Sequence, residues 1–134
     1  MITIKTYHVG GFNPLNRCKT LADAISKAKD DDVIELHKTI KESVSVDKAV
    51  IIKGNKNKFT VTQGLVGIDA QNHVVIEDVN FICETRSNAV VSHNRIELNN
   101  CTFALKGPVR EFYPLLWIKD GSARIQDSVL MSTQ

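Results

Sequence analysis

The side chains in this chain best suited to chemistry are carboxylates. Asp69, Glu77, Asp78, Glu97, Asp120 and Asp127 all fall in its second half. Two carboxyl groups held several Å apart can share acid and base work, one protonating a leaving oxygen while the other activates water. Asp78 and Asp127 occur in similar phrases, IEDVNF and IQDSVL, and Asn100 holds the same place between them in LNNCTF. The basic groups on offer are Lys53, Arg86, Arg95, Arg110, Lys119 and Arg124, and none accompanies an acidic cluster. His73, Arg95 and His93 gather at one kind of turn and form a ledge of donors that suits an anion or a solvated edge. His8 and His37 stand alone, and the four histidines show no ligand spacing of a metal site. Cys18, Cys83 and Cys101 are odd in number and also lack metal spacing. The expectation is therefore no metal and no cofactor.

What positions these residues is a repeat. HVVIEDVNF, RIELNNCTF and SARIQDSVL share one skeleton of aliphatic, polar pair, small residue and Phe or Leu. Aligned on Ile52, Ile76, Leu98 and Ile125, the steps are 24, 22 and 27 residues. A second apolar position precedes each, at Val44, Ile68, Val90 and Ile118. Each unit then reads as strand, polar turn, strand, with Asn72 and Asn94 on one turn position and Asp78, Asn100 and Asp127 on another. A period near 22 with short strands argues for stacked coils, since one coil alone cannot bury its apolar face. Equivalent strands would pair in parallel about 4.8 Å apart, placing Asp78 and Asp127 about 9 to 10 Å apart across the intervening coil. That separation suits an inverting hydrolase. The favoured reading is structural: Asp and Asn at a coil corner bond to nearby backbone and form ladders.

The leading segment differs. TLADAISKAKDDD places Leu21, Ala24, Ile25 and Ala28 on one helical face, with Thr20 and Asp23 spaced as a capping box. A helix over about residues 20–30 is expected, followed by coils over about 33–134 that begin with VIEL, all in one domain. Laid across the first coil, the helix would protect an otherwise open end.

TLADAISKAKDDDVIEL, VIIKG, VVIEDVNF and IELNNCTF together resemble the pectin-lyase-like right-handed parallel β-helix superfamily, over about residues 18–130. The resemblance implies an all-β, short right-handed parallel β-helix of about four to five coils with an N-terminal helical cap. It implies little about activity. The superfamily includes lyases that hold calcium on clustered acidic residues and hydrolases with paired carboxylates, and the acidic residues here are scattered over different coil positions.

Between Phe103 and Ile118 one coil is longer, and its insertion ALKGPVREFYPLLW is rich in aromatics. Arg110, Phe112, Tyr113 and Trp117 are the candidate binding residues, since aromatics with Arg favour recognition surfaces. The competing reading folds Phe112 and Tyr113 back onto the stack. No amphipathic segment follows SARIQDSVL, so the chain is expected to be the N-terminal module of a larger protein, or to associate with a second copy through an open last coil.

A charge balance of 17 basic against 15 acidic residues, +2, is too mild to argue for nucleic acid or an anionic membrane, and the basic run KGNKNK reads equally as a turn. No apolar run spans a membrane and no signal-peptide core is present, so a reducing, cytoplasmic setting is expected. The functional expectation is a non-catalytic interaction or structural module; the resemblance implies a larger cytoplasmic bacterial protein, since small β-helical segments similar to this one lead such proteins, some of them with ATPase domains, although no P-loop pattern occurs in these residues. The alternative is a polysaccharide-active, pectate-lyase-like enzyme or a carbohydrate-binding domain. The partners expected are protein or a second copy, with carbohydrate under the alternative, and neither nucleic acid nor membrane.

Overall fold

Short β-branched stretches bounded by Asx and Gly turns become short strands, and a computed structural model describing residues 3–106 and 114–133 stacks them in parallel. The first sheet contains β1 (Thr6–Val9), β2 (Arg17–Cys18), β3 (Val33–Leu36), β5 (Ile51–Lys53), β8 (Val74–Glu77), β11 (Ile96–Asn99) and β14 (Ala123–Gln126). The second contains β4 (Val44–Val46), β7 (Val66–Ala70), β10 (Asn88–Ser92) and β13 (Leu116–Ile118). The third contains β6 (Lys58–Val61), β9 (Asn80–Cys83), β12 (Thr102–Lys106) and β15 (Val129–Thr133). Among the described residues the chain visits second, first and third sheet in turn, four times over, and every strand pairing is parallel. The architecture is a parallel β-helix of about four turns.

The register explains the repeated phrase. Ile34, Ile52, Ile76, Leu98 and Ile125 are successive partners in the first sheet. Phe59, Phe81 and Phe103 are successive partners in the third, with ring centroids 5.3 and 5.1 Å apart. That spacing follows from the separation of neighbouring strands and allows the rings to stack. These inward residues are almost wholly buried as far as Phe103. Between first and third sheet the chain must turn within a residue or two. Asp78, Asn100 and Asp127 do so at φ 55°, 55° and 51°, a left-handed conformation that Asx residues tolerate better than most. The first such corner carries two more residues, and there Asn55 and Lys56 both take positive φ, 52° and 64°. KGNKNK is thus built as a turn.

Two expectations about register need correction. Val90 is opposite Leu116, not Ile118, which is opposite Ser92. The turn into β14 is one residue longer than the turns into β8 and β11 and contains Gly121 at φ +85°. A shift of two residues keeps the same face inward, so the alternation survives. VIEL is also not the first strand, because β1 pairs with β3 and β2 with β1, extending the first sheet beyond it.

The helix, α1, spans Leu21–Lys27, shorter than expected, and stands beneath β4 where a strand of the second sheet would otherwise continue. Leu21, Ala24 and Ile25 close the core there. Thr20 Oγ1 accepts the Asp23 N–H at 3.0 Å. Glu42, from the coil above, accepts the Leu21 and Ala22 N–H groups at 2.9 and 3.1 Å. Lys48 donates to the Ile25 and Ser26 carbonyls at 2.6 and 3.1 Å. A carboxylate at the helix start and an ammonium at its end both complement its dipole. The helix stops where Ala28 turns extended and Asp32, buried, takes the Lys29 and Lys5 N–H groups at 2.8 and 2.9 Å.

Candidate functional site

Alternation along TYHV and VIEL buries Tyr7, Val9, Ile34 and Leu36 and turns His8 and Glu35 outward. His8 is the register partner of Glu35, and His37 lies just past the end of β3. His8 Nδ1 lies 2.9 Å from His37 Nε2 and 3.6 Å from a Glu35 carboxylate oxygen. The two imidazoles stack with centroids 5.1 Å apart. One donor atom from each of the three residues falls within 4.8 Å of the others. The loop between β1 and β2 crosses this cluster: Asn13 Nδ2 is 3.2 Å from His8 Nε2, and Asn13 Oδ1 accepts the Leu15 N–H at 3.0 Å. Gly10 and Gly11 take φ of +79° and +75°, and a Cβ on Gly11 would stand 3.1 Å from His37. Phe12 and Leu15 project from the same loop, 99% and 71% exposed.

His8 and His37 therefore do not stand alone. The pairing was missed because β1 went unrecognised, so His8 had no register. The usable signals were the alternation of TYHV, the Glu35 and His37 spacing of two, and a 27-residue offset to Glu35 like that between later coils.

The other histidines are engaged by carboxylates. His73 Nε2 is 2.8 Å from Glu97, and His93 Nε2 is 3.0 Å from Asp69, which also accepts Gln71 at 2.9 Å. An anion approaching this ledge would meet Glu97 and Asp69 as well as the donors. Asn72 and Asn94 each accept the N–H of the next residue, His73 at 2.7 Å and Arg95 at 2.6 Å. Asp78 accepts from the Asn100 side-chain amide across one coil. Asn80 joins its neighbours too, donating to the Lys56 carbonyl at 2.8 Å and accepting Thr102 Oγ1 at 2.7 Å. Asp127 occupies the equivalent corner in the last coil.

Of the insertion, Arg110, Phe112 and Tyr113 lie outside the described residues. Trp117 lies on the outward face of β13, 46% exposed, beside Val91, with Lys119 Nζ 4.5 Å from its ring centroid. Leu115, Leu116 and Ile118 pack against the core. The last coil also leaves Ile125 51% and Val129 50% exposed.

All three thiols are free and buried. Burial pushes the Cys83 thiol up to about 11, against a weaker opposing hydrogen bond from Ser87. Burial raises the thiols of Cys101 and Cys18 as well, helped in Cys18 by nearby Asp23. A thiol held protonated is a poor nucleophile. No helix among the described residues is long and apolar enough to cross a membrane.

Compared with known protein families, with curated proteins and with solved structures, the chain matches none.

Proposed function

We propose that this chain is a non-catalytic interaction module whose last coil receives a protein partner. The observation that carries the reading is the contrast within one ladder: Ile76 and Leu98 are wholly buried, whereas Ile125 is half exposed on β14. Val129 and Trp117 add apolar surface on the neighbouring strands of that coil. Parallel strand edges with apolar side chains favour addition of another strand layer. The partner is a further protein segment, of a larger protein or of a second copy. Three buried free thiols support a cytoplasmic setting.

The geometry favours this over polysaccharide cleavage. Asp78 is tied to Asn100, and Glu97 and Asp69 are tied to histidines, so these carboxylates serve the fold's own contacts. The coil architecture supports kinship with the pectin-lyase-like superfamily without bringing its acidic cluster. Trp117 keeps carbohydrate binding as the second reading, because a half-exposed indole can stack on a sugar ring. Light scattering over a concentration series separates the two. The module reading expects the mass to rise toward two chains, and an Ile125→Lys variant with unchanged circular dichroism to remain at one. A wild-type mass that stays at one chain when concentrated, with oligouronate binding lost in Trp117→Ala, would favour the second.

A further inference from the structure

We infer that His8, Glu35 and His37 form a binding site for a divalent transition-metal ion of the zinc class. The donor set is the first argument. Two imidazole nitrogens and one carboxylate oxygen suit zinc and its neighbours, whereas calcium and magnesium favour all-oxygen shells. Distance is the second. Ligands about 2.0 to 2.1 Å from a tetrahedral zinc lie roughly 3.3 Å from one another. The observed separations, 2.9 Å between the two nitrogens and 3.6 Å from nitrogen to carboxylate, bracket that value. Two rings brought this close through neutral imidazoles would share one proton between Nδ1 and Nε2. A metal ion takes both lone pairs instead, and the Glu35 carboxylate offsets part of its charge.

The surroundings supply the third argument. A metal-bound imidazole normally has its far nitrogen held by another polar group, and Asn13 lies 3.2 Å from His8 Nε2. With Nδ1 on the metal, Nε2 carries the proton, and the Asn13 amide turns its oxygen from the Leu15 N–H to accept it. The strands fix His8 and Glu35, and the Gly10–Gly11 turn packs against His37. His37 is exposed, so ion and water have access. Three protein ligands leave a fourth position for water or an incoming donor. This site lies at the opposite end of the stack from the last coil and does not depend on the interaction reading.

The test is calorimetric titration of the full chain with zinc chloride after chelator treatment, together with the visible absorption of the cobalt-loaded protein. The expected result is one ion per chain, with a Kd on the order of 10 µM or tighter, and cobalt bands of tetrahedral intensity. His37→Gln changes an exposed side chain, so folding survives, and affinity falls by about 100-fold or more. Glu35→Gln lowers it too. Asn13→Ala, which touches no metal, lowers it by about 10- to 100-fold. His73→Gln and His93→Gln leave it unchanged. Absence of saturable binding, or wild-type affinity in His37→Gln, would overturn the assignment.

Discussion

Ile76 and Ile125 hold the same place in the same phrase, two coils apart, and their environments differ completely. Ile76 has Ile52 on one side and Leu98 on the other and is wholly buried; Ile125 has Leu98 on one side and is 51% exposed. Residue type is constant, so coverage by the next coil decides what each contributes. The N-terminal end shows how such an end is closed. There α1 stands beneath β4, with Glu42 and Lys48 bonding its two termini, and β1 and β2 extend the first sheet. A solenoid's stability thus belongs to the contacts between coils rather than to any one coil.

The largest effect is expected in the phenylalanine ladder. Phe81→Ala removes a ring stacked between two others and is expected to cost about 3 to 5 kcal/mol, read from chemical denaturation. Ile76→Ala is expected to cost about 2 to 5 kcal/mol, while Ile125→Ala costs below about 1 kcal/mol in the single chain. Equal costs at Ile76 and Ile125 would dissolve the distinction between covered and uncovered coils.

A pH titration examines the covered coils from another side. The folded state holds the Cys83 proton more tightly than the unfolded chain, with its thiol at about 11 instead of 9.0. Its contribution is therefore complete below pH 9 and declines as pH rises from 9 through 11, by roughly 2 to 3 kcal/mol in all. Cys83→Ala should flatten that part of the stability curve. A slope that is unchanged in the variant would assign the loss to other groups.

Smaller effects are expected where the helix closes the stack. Glu42→Ala leaves the Leu21 and Ala22 N–H groups without their carboxylate and should cost about 1 to 2 kcal/mol by thermal melting. At the corners, Asn100→Gly loses the hydrogen bond to Asp78 but keeps φ 55° freely and should cost below about 1 kcal/mol, whereas Asn100→Val adds backbone strain and should cost about 2 kcal/mol.

Much of the fold was legible because its rule is simple. The spacing of Ile52, Ile76 and Leu98 announced the register directly, and Thr20 with Asp23 announced the helix start. Ile118 was misplaced because the longer turn before β14 sets Ile125 nine residues after Leu116 instead of eight, and Ile118 shares the inward face with Leu116. The His8–Glu35–His37 cluster was hidden for a different reason. Its members come from residues 27 positions apart, and only the pairing of β1 with β3 brings them together. β1 itself is four residues long and lies before the repeat begins. Side chains that meet across strands carry no local pattern, so the register must be known before the cluster can be seen.

Residue-resolved hydrogen exchange at a concentration where the protein is a single chain tests most directly whether coverage by the next coil governs stability. The amides of β5, β8 and β11 should exchange slowly, near the rate set by global unfolding, while those of β13, β14 and β15 exchange much faster through local opening. Uniform protection through β14 under those conditions would contradict the account.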